Sequence, residues 1–324
     1  MRKFAAGVLP PSINSPMNVV TAVILKLISV LLFAAMSSLI RISGQHFPLG
    51  QVVFFRSAFA LATVVLIYAW RGELRAAVYT KRLPGHILRG SQGIGGMFLN
   101  FAALARLPLM DATAISFASP LITVAMAAAI LKEKVHIFRW TTVAIGFVGV
   151  VVMLWPYLDI WSIAYVGTTE RTIGAICAIV GAVSNAGTVI QTRRLTDTET
   201  TSSIVFYFSL ICTIAGLCSL PFGWLTPSPK EFAMLVMIGV LGGLSHILLT
   251  ESYRDAPASV VAPFDYTAML WSFLLGYFIF GELPSSYVYV GSAIVIVCGL
   301  AVIWRERKIG IAEKRIMEGP SSAE

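Results

Sequence analysis

Long stretches of this chain carry no charge: residues 112–131, 172–192, 202–222, 232–250 and 287–304 contain no Asp, Glu, Lys or Arg. Each run has close to the ~20 residues that an α-helix needs to cross a hydrocarbon core ~30 Å thick. Residues 140–157 form a sixth uncharged run, slightly shorter. Four further apolar segments hold one charge each: 19–40 with Lys26, 49–70 with Arg56, 87–105 with Arg89 and 256–280 with Asp265. The apolar positions do not alternate with polar ones over short strands, as a membrane barrel requires. Backbone in lipid must satisfy its own hydrogen bonds, so helices are the expected form. The pattern predicts an all-α membrane protein of ten transmembrane helices joined by short connections.

Composition strengthens that reading. Apolar residues make up 57% of the chain and charged residues 12%, about half the share usual in soluble domains. The segment 1–18 has Arg2 and Lys3 but is interrupted by Pro10, Pro11 and Pro16, so it reads as a cytoplasmic tail and not as a removable signal peptide. A second cytoplasmic tail is expected over 306–324. Cys177, Cys212, Cys218 and Cys298 all fall inside predicted helices, and no Cys or His spacing suits a metal. No cofactor is expected.

The net charge of +8 does not point to nucleic acid, because of where the charge lies. With the N-terminus in the cytoplasm, 17 of the 24 basic residues fall on the cytoplasmic side. Only Arg41, Arg106, Arg171 and Lys230 face the other way, and Lys26, Arg56 and Arg89 lie within helices. That asymmetry follows the positive-inside rule. Both termini are expected in the cytoplasm, and the expected partners are membrane lipid and a small solute.

The chain also repeats itself. Gly95-Gly96 recurs as Gly242-Gly243, and Leu131-Lys132-Glu133 recurs as Phe280-Gly281-Glu282. Glycines near the end of the following helix, Gly146 and Gly149, have a counterpart in Gly299. The division is into halves at 19–157 and 172–305, five helices each. A repeat with an odd number of spans must invert in the membrane. Inverted repeats are common in secondary transporters, with the solute site near the midplane between the halves.

Phe55-Arg56-Ser57-Ala58, Asn100-Phe101-Ala102-Ala103-Leu104 and the stretch Leu107-Pro108-Leu109-Met110-Asp111-Ala112-Thr113-Ala114-Ile115 resemble the EamA-type branch of the drug/metabolite transporter superfamily. Pro120-Leu121, Glu133 and Gly146-Phe147-Val148-Gly149-Val150 fit the same pattern. The resemblance implies ten helices in a five-plus-five inverted repeat. It implies a central cavity lined by helices one to four and six to nine, with helices five and ten outside them. It also implies uptake or export of small metabolites, which in this branch include amino acids, nucleosides, S-adenosylmethionine and riboflavin.

Polar groups inside a bilayer are expensive and ask for a reason. Arg56 stays charged, so it is a candidate to bind an acidic or carbonyl-rich group, or else it caps helix ends. Asp265, two places after Pro263, is a candidate coupling group. Glu251 is a second, although Arg254 offers it a local ion pair at i, i+3. His246, Asn100 and Asn185 are candidate cavity residues. Pro120 and Pro263 free carbonyls one turn earlier. Phe98, Phe117, Tyr207 and Tyr266 offer stacking surfaces for a planar ligand.

No phosphate loop, His-Glu-x-x-His or Gly-x-Ser-x-Gly motif is present, so an enzyme is not expected, and an intramembrane enzyme is the alternative of another class. The expectation is a gradient-driven secondary transporter of the cell inner (plasma) membrane. Uptake of riboflavin or a similar planar metabolite comes first. Uptake of S-adenosylmethionine and export of amino acids are the alternatives. Proton coupling and pairing as a homodimer are both compatible with this picture.

Overall fold

The computed structural model describes residues 19–70, 72, 74–130, 137–157, 166–196, 198–255 and 261–317. All regular structure among them is helical. In chain order the helices are α1 (Val19–Ser43), α2 (Leu49–Trp70), the short α3 (Leu74–Val78), α4 (Leu83–Arg106), α5 (Leu109–Ser116) and α6 (Ala118–Ile130). They continue with α7 (Ile137–Leu154), α8 (Val166–Thr196), α9 (Thr201–Leu217), α10 (Pro229–Asp255), α11 (Thr267–Phe280) and α12 (Ser286–Met317).

Counting α5 with α6 as one broken span, and leaving out α3, the described residues form ten helical spans. Seven segments are long and apolar enough to cross a membrane unaided. The other three are α4, which carries Arg89 and His86 internally, and the shorter α9 and α11.

Large apolar side chains point outward in quantity: Leu66, Val148, Phe278 and Val297 are all more than half exposed. In water such a surface would be a liability, whereas in lipid it is the solvated face. Inside, large apolar side chains such as Ile40, Leu109, Ile115 and Met153 are fully buried, and small residues mark the closest helix contacts. Ala175, Ala178, Ala182 and Ala186 form a buried stripe on α8, against which α4 packs along its length. Small residues let membrane helices approach closely where no hydrophobic force drives them together. At Gly216 of α9 an added Cβ would stand 2.7 Å from the backbone of Phe54 on α2.

The most extensive helix pairings are α1 with α10, α4 with α8, α2 with α9 and α7 with α12. Each joins one of the first five spans to one of the last five.

Two spans are interrupted. Phe117 forms a one-residue turn between α5 and α6, its backbone still right-handed and its N–H donating back to Ala114 at 3.1 Å, and Pro120 sits in the first turn of α6, where its missing N–H is tolerated. A 3₁₀ turn over Ala262–Tyr266, holding Pro263, precedes α11. The broken spans meet: Thr113 of α5 and Ser272 of α11 share a hydrogen bond of 2.9 Å between their hydroxyls.

Polar contacts tie the loops together at both ends. At the end where α1 begins and α12 finishes, the tail end, Glu199 binds the segment Thr80–Arg82. At the far end Arg41 forms a bidentate pair with Glu282, and Arg106 pairs with Glu170 at 2.8 Å. Gln51 exchanges two hydrogen bonds with the backbone of Leu225 there. Gly281, at φ 65°, caps α11 and turns the chain so that Glu282 reaches Arg41. Glu133 lies outside the described residues.

Candidate functional site

A cavity of about 430 Å³ lies among α1, α2, α4, α5, α8, α9 and α10. Its polar lining includes Arg56, Arg89, Asn100, Asn185 and His246, with the hydroxyls of Ser37, Thr113, Ser116 and Thr188. Helix α2 buries Arg56 to 6% exposure, and its guanidinium donates to Nε2 of His246 at 3.1 Å. An arginine can only donate, so this Nε2 is an acceptor and the imidazole in this contact is neutral. Phe33 of α1 meets the His246 ring edge-on at 5.0 Å and fixes its orientation. The Arg56 Nε has no hydrogen-bond partner among the described residues. Its donor capacity is therefore not exhausted by the protein.

Arg89 is held differently. Its Nε donates to the Thr192 hydroxyl at 2.7 Å, and its guanidinium lies over the Phe208 ring at 4.7 Å. Asn100 and Asn185 project between α4 and α8 where glycines make room: a Cβ at Gly181 would stand 3.1 Å from the Asn100 amide oxygen, and one at Gly96 would stand 2.9 Å from that of Asn185. Phe33, Met36, Met97, Phe101 and Phe208 supply apolar walls. Among the described residues no Asp or Glu lines this cavity. The result is a pocket with two cationic groups, two amides, aromatic faces and no acid.

The remaining candidates lie elsewhere. Phe117 and Tyr266 stack on each other at 5.1 Å and bridge the two broken spans. Tyr207 stacks on His86 at 4.7 Å near the tail end and donates its hydroxyl to the carbonyl of Val78. Phe98 packs against the hydrophobic core. None of these four lines the cavity.

Asp265 is paired with Lys26 at 2.6 Å, the lysine 1% and the aspartate 43% exposed at the side chain. The pair joins α1 to the second broken span. Glu251 lies further along α10 than His246, outside the cavity lining, and the side chain of Arg254 is outside the described residues. Arg89 and Phe33 were not singled out from the sequence as site residues. Only Arg89 left a signal there, as a lone charge in an apolar span.

Residues 20–155, and again 172–305, match the EamA-like transporter family. The chain belongs to that family. As an EamA-like protein it is an integral membrane transporter of small metabolites within the drug/metabolite transporter superfamily, and not an enzyme. It is similar to a protein of Rickettsia prowazekii named S-adenosylmethionine uptake transporter, 30% identical over 265 residues, which cover 82% of this chain and 86% of the relative. It is also similar to a Pseudomonas aeruginosa protein named pseudopaline exporter, 24% identical, with 87% of this chain and 95% of the relative covered. A crystal structure of a protein 18% identical superimposes with a TM-score of 0.62, covering 89% of this chain and 98% of the other, and so shares the fold. Neither named relative supports riboflavin, the cargo first expected from the aromatic content.

Proposed function

We propose that this EamA-like protein is a secondary transporter working by alternating access, and that its cargo is a metabolite bearing a carboxylate next to a flat or apolar body. The observation that carries the reading is the central cavity, with Arg56 and Arg89 in its lining and no acid among the described residues opposite them. A buried cation with spare donors favours an anionic oxygen, and Arg offers a planar fork to a carboxylate. The cavity volume, about 430 Å³, falls in the roughly 300–1,000 Å³ range of small-molecule sites.

S-adenosylmethionine is the first cargo to test. Its amino-acid carboxylate suits Arg56, its adenine suits the aromatic walls, and its sulfonium can sit over a ring face as a cation–π contact.

The helix pairings support an inverted five-plus-five repeat. Exchanging the first five spans for the last five turns the α1–α10 pair into the α8–α4 pair, and returns α2–α9 and α7–α12 to themselves. Both broken spans, the fourth and the ninth, exchange as well. The two segments matched by the family support the same division. Cytoplasmic termini are supported by the charge asymmetry and by loop contacts that join only loops of one predicted side.

The test is counterflow of labelled S-adenosylmethionine in liposomes preloaded with the unlabelled compound. Saturable counterflow is expected, and Arg56→Gln should weaken it roughly 10–100-fold, the loss of one charged hydrogen bond. Transport of an organic cation without a carboxylate, indifferent to Arg56→Gln, would sink the reading.

A further inference from the structure

A second cavity, of about 340 Å³, opens at the far end among the start of α5, the turn after α7, the start of α8 and the loop after α11. Asp111, Tyr157, Arg171, Thr172, Glu282 and Ser285 line it. Asp111 is 2% exposed. Its Oδ2 accepts the Tyr157 hydroxyl, while its Oδ1 is buried and has no hydrogen-bond partner among the described residues. An ionised carboxylate is an acceptor on both oxygens, and leaving one of them dry and unpartnered is costly.

The charged and titratable groups facing Asp111 are Tyr157 beyond α7, Arg171 on α8, Arg41 on α1 and Glu282 beyond α11. Arg41 is engaged by Glu282 through its terminal nitrogens Nη1 and Nη2, and its Nε has no hydrogen-bond partner among the described residues. Placing a proton on Oδ1 removes the charge, and a neutral carboxyl costs far less to keep buried beside one hydroxyl than the ion does.

Asp111 lies on a distinctive element. Helix α5 is a two-turn unit set between Pro108 and the break at Phe117. The same unit carries Ala112, Thr113 and Ser116 into the lining of the central cavity, and Ser116 stands about 7.5 Å along the axis from Asp111 at ~1.5 Å per residue. One short helix therefore presents a buried carboxylate to the far-end pocket and hydroxyls to the cargo cavity.

We propose that Asp111 is a proton-binding site, filled from the far-end pocket, and that its neutral form stabilises the arrangement in which the far end is closed. One proton adds to Oδ1 and no other bond changes. Ionisation then favours opening, because a charged Asp111 gains from water. The use of this proton for coupling rests on the transporter reading; the proton site itself does not.

The experiment is pH-difference infrared spectroscopy on the purified wild-type protein in lipid nanodiscs, without cargo. A protonated-carboxyl C=O band should appear as pH falls, vanish in Asp111→Asn and return in Asp111→Glu. Tyr157→Phe, which removes only the hydrogen bond to Asp111, should move the frequency of the band, and this variant carries the test if Asp111→Asn does not fold. A band unaltered by both changes, or one displaced by sodium ions at constant pH, would overturn the proposal.

In liposomes, accumulation of labelled S-adenosylmethionine driven by a proton gradient should fall roughly tenfold in Asp111→Asn relative to its own counterflow. An equal loss of both would assign Asp111 a structural role. If wild-type counterflow itself fails, the cargo assignment falls, while the infrared result still decides the proton site.

Discussion

Glu199, in the turn between α8 and α9, accepts hydrogen bonds from the Thr80 hydroxyl at 3.1 Å and from the N–H groups of Lys81 and Arg82 at 2.8 and 2.9 Å. The Ser203 hydroxyl stands at 3.4 Å and the His86 ring at 3.6 Å. Asp111, buried at the opposite end, accepts from one hydroxyl. Burial by itself would raise the Glu199 carboxyl, but its donors outweigh that and hold it below the usual carboxylate range. The contrast shows that what a buried acid does in a membrane protein depends on how many donors reach it. A saturated carboxylate is a permanent charge that ties two segments together. A half-satisfied one is a place for a proton to come and go.

Removing Glu199 should break the comparison most strongly. Glu199→Gln loses the charge that anchors residues 80–82 to the second half of the chain, and should lower stability by about 1–3 kcal/mol, read by thermal unfolding in detergent. The pH dependence has a definite sign. A carboxylate held below its ordinary value contributes fully above pH ~4.3, and that contribution drains away as pH falls through the lowered value. Wild type should lose stability in that acid window, and Glu199→Gln should lack this step.

A smaller effect is expected at the far end. Glu282→Gln weakens the bidentate pair with Arg41, which is partly exposed, and should shift the opening equilibrium by about 1 kcal/mol, or roughly fivefold. The readout is faster maleimide labelling of a Ser285→Cys probe in a background lacking the exposed Cys218. Unchanged labelling would show that the Arg41–Glu282 pair does not hold this end shut.

Gly281→Ala should act in the same direction and more weakly. Left-handed backbone at φ 65° is strained by a Cβ, and the altered cap would withdraw Glu282 from Arg41 without removing it. Labelling no faster than wild type would show that Glu282 is positioned independently of the cap.

Much of this architecture could be read from residue order alone, because lipid leaves a chain few choices. Uncharged runs of about 20 residues have to become helices, and the described spans follow them closely. The site was legible only in part, for reasons specific to its residues. Arg56, Asn100, Asn185 and His246 share one cavity, since a polar side chain within an apolar span has few places to go. Lys26 and Asp265 looked like separate features, yet they form one ion pair. No local spacing rule connects residues so far apart. Phe117 and Tyr266 are aromatic for each other, which periodicity cannot distinguish from being aromatic for a ligand. Asp111 escaped attention as a site residue because it stands just before an uncharged run and reads as a loop charge. Its burial depends on Tyr157 and the packing of α5, neither of which leaves a trace near it in the sequence.

The pairing of α1 with α10 and of α2 with α9 has a consequence for how the protein is made. When the first five spans have been synthesised, their principal neighbours do not yet exist. Four of the five, all but α4, are long and apolar enough to stand alone in lipid, but assembly has to wait for α8 to α12. The N-terminal half expressed by itself would thus be an orphan, open to membrane quality control, whereas two separately encoded halves inserted into the same bilayer should find each other and rebuild the intact molecule.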